Sequence, residues 1–221
     1  AISSTTRKNF WLILAGLFIG LCVVTKPTFL VLLPAVLVGA CVAWRRSTLS
    51  GKEVLTVAFA GAVPFFLWLF LQFQAGDSLS NVLSFYVNPY QLTNLFDVIL
   101  KNIGNLFTSI NPLYLMGVMG VWVWAFWIRL RKHEVVSVEE IIAFVFSLLI
   151  IAAYTRTEGW YRYLFEAQMI SLLFFPNAVL LVAQTTARFF SPRKIVTLAI
   201  VFLTLLGAYQ VMFSSFVAES Y

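Results

Sequence analysis

Apolar residues run along this chain in seven stretches, over 10–25, 28–44, 54–73, 112–128, 138–154, 163–187 and 195–215. A hydrocarbon core about 30 Å thick takes about 17 to 25 helical residues to cross, so each stretch reads as a spanning helix. The polar positions between them are patterned too. Arg7 and Lys8, then Arg45, Arg46 and Lys52, then Arg129, Arg131 and Lys132, then Arg188, Arg193 and Lys194 form four clusters. If the chain crosses at every stretch, these eleven cations share one side, which the positive-inside rule makes the cytoplasm. The N-terminus is then inside and Tyr221 outside. Lys26, Lys101, Arg156 and Arg162 are the cations left on the outer side. The fold class predicted is all-α: a polytopic transmembrane bundle of about seven spanning helices within a single domain, 1–221.

Between the third and fourth spans the period changes. Leu92, Leu95, Phe96, Ile99, Leu100, Ile103, Leu106, Phe107 and Ile110 recur at helical spacing, with Asn94, Asp97, Lys101, Asn105 and Thr108 on the other arc. That pattern predicts an external amphipathic helix lying in the membrane interface. Asp97 stands four residues before Lys101, the spacing of a surface ion pair. Before it, Tyr86 to Tyr90 reads as a turn with two interfacial aromatics. The first two spans form a hairpin whose tip is Thr25-Lys26-Pro27-Thr28, where proline ends the helix and biases Lys26 away from helical dihedrals. Gly16 and Gly20 make a small-xxx-small pair that admits a close neighbour. Pro34, Pro64 and Pro176 fall inside spans. Ser137-Val-Glu-Glu140 has the pattern of a capping box and predicts the start of the fifth span.

Composition narrows the class. Of the 221 residues 61% are hydrophobic and 11% charged, with a mean hydropathy of +0.91, which excludes a soluble domain or a disordered tail. The net charge of +6 resides in loops facing anionic headgroups, so it implies membrane lipids and no nucleic acid as partner. Cys22 and Cys41 sit near opposite ends of one hairpin, too far apart for a disulfide. No grouping of metal ligands, glycine-rich phosphate loop or nucleophile elbow occurs in the sequence.

Two outer segments could carry chemistry. One is Lys26 at the proline tip. The other runs from Thr155 to Tyr163 and carries Arg156, Glu158, Trp160, Tyr161, Arg162 and Tyr163, with Glu166 just beyond. Cations at helix ends suit a lipid phosphate, which Arg grips with two donors and Lys meets as a point charge. Simpler roles remain open for each. Lys26 can snorkel to headgroups, Arg162 can pair with Glu166 four residues on, and the aromatics can belong to the outer belt.

A longer pattern resembles a known superfamily. Gly16-Leu-Phe-Ile-Gly-Leu-Cys-Val-Val-Thr-Lys-Pro-Thr-Phe-Leu-Val-Leu-Leu-Pro34 is similar to the helix, Thr-Lys tip and returning helix of GT-C glycosyltransferases, among them protein mannosyltransferases and lipid A aminoarabinose transferases. Arg162-Tyr163-Leu164 resembles the Arg-Tyr-Leu that opens a late span in that family. Phe165-Glu166-Ala167 stands where the family usually has Pro-Ala-Leu. The resemblance implies transfer of a sugar from a polyprenyl-phosphate donor to an acceptor on the external face of a bacterial inner membrane. Lys26, Arg162, Tyr163 and, more distantly, Arg156 would hold the lipid phosphate, while Glu158, Trp160, Tyr161 and Glu166 would line the same cavity. The family's catalytic acid lies in an external loop upstream of the matched region. The chain is therefore expected to be the C-terminal part of a longer enzyme, or a non-catalytic accessory subunit of a larger membrane complex. A transporter would instead concentrate polar groups at the bilayer midplane.

Overall fold

The computed structural model describes residues 4–87, 94–186 and 191–219, and every regular element among them is helical. The helices are α1 Ser4–Thr25, α2 Leu32–Arg45, α3 Gly51–Gln74, α4 Leu79–Val87, α5 Leu95–Thr108, α6 Ile110–Arg131, α7 Val138–Tyr154, α8 Phe165–Thr185 and α9 Pro192–Glu219. Short 3₁₀ turns, Pro27–Val31 and Tyr161–Leu164, precede α2 and α8. Five segments are long and apolar enough to cross a membrane: Thr6–Thr25, Thr28–Arg45, Gly51–Gln74, Pro112–Arg131 and Tyr161–Thr185. The sequence pattern anticipated seven. Of the other two, α7 has 17 residues, at the lower edge of spanning length, and α9 has 28. No more than 33% of any of the five apolar segments is buried. Side chains such as Leu37, Phe59, Phe66 and Leu173 consequently face outward, an arrangement that is costly in water and natural in hydrocarbon.

The chain divides into two compact units. The first comprises Ala1–Gly104 and Ser137–Ala167. Within it α1 packs along α3, and α2 packs along α7. Small residues make the first pairing possible. A Cβ on Gly20 would run into the Gly61 carbonyl, and one on Gly16 would lie 2.7 Å from the Ala60 Cβ and collide with the Val57 carbonyl. The small-xxx-small pair thus meets a matching Ala60-Gly61 patch, and the helices touch backbone to backbone. Gly20→Leu should destabilise the folded chain by about 1–3 kcal/mol or more, because the obstruction is main chain and cannot yield. Gly39→Ala should cost less, since its Cβ would meet the Ile142 side chain, which can shift, rather than main chain. Thermal unfolding of the two purified variants checks the contrast, and equal losses would refute it.

Caps fix the helix starts in this unit. The Ser50 hydroxyl accepts from the Glu53 N–H at 3.4 Å, and the Glu53 carboxylate accepts from the Ser50 N–H at 2.7 Å, a reciprocal pair at the start of α3. Lys8 reaches the same carboxylate at 2.5 Å. At α7 the Ser137 hydroxyl accepts from the Glu140 N–H at 3.1 Å, as its sequence pattern predicts.

The second unit comprises Asn105–Val136 and Gln168–Tyr221. Its core is Val118, Phe175 and Val179, against which Ile195, Ala199 and Phe202 of α9 pack. Trp122 is fully buried and stacks on Phe174 at 4.9 Å, and Tyr114 stacks on Phe202 at 4.1 Å.

Helix α5 departs from the two-arc reading in a specific way. Leu92 lies outside the described residues, and Ile110 belongs to α6, because Ser109 is extended and breaks the helix. The remaining apolar positions split. Leu106 is buried and Ile99 half-buried, whereas Phe96, Leu100, Ile103 and Phe107 form a separate exposed stripe. Asn94, Asp97 and Lys101 are exposed on a third arc. The Asp97 carboxylate accepts from the Asn94 amide, and no ion pair to Lys101 forms. Tyr86 and Val87 close α4, while the rest of the expected turn, 88–90, lies outside the described residues.

Candidate functional site

The outer chemistry of the first unit begins with a break in the backbone. Lys26 has φ −150° and ψ 123°, extended, between the end of α1 and the 3₁₀ turn that starts at Pro27. Proline has no N–H to continue α1 and disfavours helical dihedrals before it, which makes this corner local in origin. The turn packs against both α1 and α7, and Phe29 lies 6.2 Å from Phe146 of α7. Lys26 is thereby aimed across the unit.

What it meets is the segment before α8. The Lys26 ammonium donates to Glu166 Oε1 in an ion pair whose side chains are 32% and 19% exposed. It also lies 5.4 Å from the Phe29 ring centroid and 5.8 Å from that of Tyr163. The Arg162 guanidinium lies 5.3 Å from the same Tyr163 ring and 4.0 Å from Trp160, and donates to the Tyr163 hydroxyl at 3.5 Å. Trp160 and Tyr163 are parallel, 6.2 Å apart. One buried tyrosine therefore separates two cations, the first neutralised by a carboxylate and the second without a carboxylate partner among the described residues.

The sequence left open an Arg162–Glu166 pair at helical spacing. The structure pairs Glu166 with Lys26, because Arg162 lies in the 3₁₀ turn Tyr161–Leu164 and α8 begins only at Phe165. Glu166 Oε2 is buried and has no hydrogen-bond partner, as is the Thr28 hydroxyl oxygen.

Of the other sequence candidates, Arg156 and Glu158 are exposed on the loop after α7, where the Arg156 N–H donates to the Ala153 carbonyl at 3.0 Å. Glu158 and half-buried Tyr161 make no ion pair or ring contact with the cluster. Sequence reasoning missed the device that shapes this loop. Asn102 of α5 is 1% exposed, and its amide lies 3.3, 3.2 and 2.9 Å from the carbonyls of Tyr154, Thr155 and Thr157. The Thr157 hydroxyl donates to the Tyr154 carbonyl at 2.8 Å and accepts from the Gly159 N–H at 3.2 Å. Gly159 has φ +85°, and a Cβ there would lie 2.5 Å from Asn102 Oδ1. Only glycine both adopts this dihedral freely and leaves that room. The loop is thus pinned to α5, and it delivers Trp160 and Arg162 to Tyr163. A glycine directly after an acidic loop residue was the one available signal of this turn.

Among the described residues no group of three or more His, Cys, Asp or Glu is arranged to hold a metal ion. Comparison with family models, with curated proteins and with solved structures returns no match, so the site stands on its own geometry.

Proposed function

We propose that the chain is the membrane portion of a GT-C-type glycosyltransferase that moves a sugar from a polyprenyl-phosphate donor to an acceptor on the external face of the plasma membrane. The observation that carries this reading is the meeting of Lys26 and Arg162 at the Tyr163 ring, from segments far apart in sequence. Two cations at helix ends beside an aromatic ring suit a phosphate monoester or diester carried on an apolar chain. In the transfer, the acceptor oxygen attacks the anomeric carbon, the bond from that carbon to the lipid phosphate oxygen breaks, and the phosphate leaves with the electron pair. Lys26 and Arg162 stabilise the charge that develops there. The general base that takes the acceptor's proton is supplied by another segment or another protein.

The Lys26–Glu166 pair favours a second reading, a non-catalytic subunit on the same scaffold, because a carboxylate already satisfies one of the two cations. Binding separates the readings. The full chain in nanodiscs should bind farnesyl phosphate saturably and more tightly than farnesol. Equal binding of the two would leave the accessory reading in its place.

The proposal includes the topology. α7 and α9 join the five longer apolar segments to give seven crossings, and α5 lies in the outer interface with Phe96, Leu100, Ile103 and Phe107 toward lipid and Asn94, Asp97 and Lys101 toward water. Single cysteines at Gly51 and at exposed Glu158 test it. In intact cells an impermeant reagent should label position 158 and spare position 51, and equal labelling would overturn the arrangement.

A further inference from the structure

A second polar feature of the first unit is not used by the phosphate reading. A cavity of about 390 Å³ is lined by Val24 of α1, Trp68 and Gln72 of α3, and Asp77, Asn81 and Val82 after it. Its size falls in the range of about 300–1,000 Å³ typical of small-molecule sites.

Its polar groups are arranged by local structure. Gly76 has φ +92° and turns the chain back at the end of α3, so that the Asp77 N–H donates to the Gln72 carbonyl at 3.1 Å. With the Gln72 amide oriented to satisfy both neighbours, its nitrogen donates to Asp77 Oδ2 at 2.9 Å and its oxygen accepts from Trp68 Nε1 at 3.3 Å. The Ser78 hydroxyl accepts from the Asn81 N–H at 3.3 Å and holds the first turn of α4. An indole, two amides and a carboxylate are therefore set around one space before anything enters it.

The chemistry of the lining restricts the occupant. Among the described residues no Lys or Arg lines the cavity, and Asp77 gives it negative charge, so a phosphate is repelled. A carboxylate accepts hydrogen bonds only, whereas the Asn81 amide both donates and accepts, a set that matches neighbouring hydroxyl groups. The Trp68 ring and the Val24 and Val82 side chains offer apolar surface to a C–H face. We propose that this cavity is a subsite for a neutral, hydroxyl-rich ring, a sugar. Its assignment to the donor or acceptor sugar rests on the transfer reading above. Val24 stands two residues before Lys26, so α1 contributes to the sugar subsite and leads directly into the phosphate-binding corner.

The test uses the full chain in nanodiscs and saturation-transfer NMR with methyl glucoside, methyl mannoside and methyl galactoside. At least one should bind saturably. Asp77→Ala and Asn81→Ala should each weaken that binding about tenfold, the loss expected for a hydrogen bond to a charged group or a paired amide. Both positions are exposed, so the variants should keep the parent's thermal transition, and Trp68→Phe provides a third check that keeps an aromatic face and loses the indole N–H. Absence of saturable binding by every glycoside, indifference to both Asp77→Ala and Asn81→Ala, or tighter binding of ethanolamine than of any glycoside would overturn the subsite. Binding of farnesyl phosphate without glycoside binding would remove this inference alone. Glycoside binding without farnesyl phosphate binding would remove the donor reading and leave the subsite standing.

Discussion

Arg162→Ala should weaken the binding of farnesyl phosphate by about 10- to 100-fold, the equivalent of the roughly 1.5–3 kcal/mol that a hydrogen bond to a charged group contributes. The expectation follows from how little the folded chain uses this guanidinium. It lies against Trp160 and Tyr163 and reaches one tyrosine hydroxyl at 3.5 Å, but it has no carboxylate partner among the described residues. Its other donors can take an anion. Stability should fall by only about 0.5–1 kcal/mol, the size of an exposed cation–π contact. Arg162→Lys should recover part of the affinity, since it restores the charge without the two-pronged geometry. Farnesol binding should not change in either variant. Titration calorimetry or lipid-competition binding in nanodiscs reads all three, and an Arg162→Ala chain that binds farnesyl phosphate as the parent does would end the phosphate assignment.

The parts of this architecture that were legible in the sequence are those set by local rules. The Lys26-Pro27 corner follows from proline stereochemistry, and the start of α7 from the Ser137 cap. Gly16 and Gly20 announced a close helix contact, though the partner, Ala60-Gly61 of α3, could not be read from α1 alone. The capping pair Ser50 and Glu53 has the same pattern as Ser137 and Glu140 and was equally available. What escaped depends on contacts between segments. Helical periodicity placed Asn102 on no particular face, and its burial arises only because the loop after α7 presents three carbonyls to it. Likewise the spacing of Arg162 and Glu166 suggested a pair on one helix, but the 3₁₀ turn rotates Arg162 away and leaves Glu166 to a lysine from a distant corner. The five long apolar segments follow from composition and length, whereas α7, with 17 residues, sits where those two criteria no longer decide.

Glu166→Gln should tighten farnesyl phosphate binding. In the parent chain a phosphate that approaches Lys26 must displace the Glu166 carboxylate, which shares the lysine's charge and would itself repel the ligand. A partly exposed ion pair is worth about 1 kcal/mol or less, so its removal before binding should raise affinity by up to about fivefold. Glutamine keeps the side chain's length and can still accept from the lysine, and Oε2, which is buried without a partner, would be replaced by an amide group. The fold should therefore survive with a modest drop in thermal midpoint. Lys26→Met provides the opposite case: it removes the cation, strands the carboxylate, and should lose both stability and affinity. Combining Lys26→Met with Glu166→Gln should restore the stability but not the affinity, because the stranded charge is gone while the phosphate still lacks its lysine. If Glu166→Gln instead binds farnesyl phosphate no better than the parent, the pair is a permanent tie between the α1 corner and α8. Lys26 then serves the scaffold, and the accessory-subunit reading gains the stronger claim.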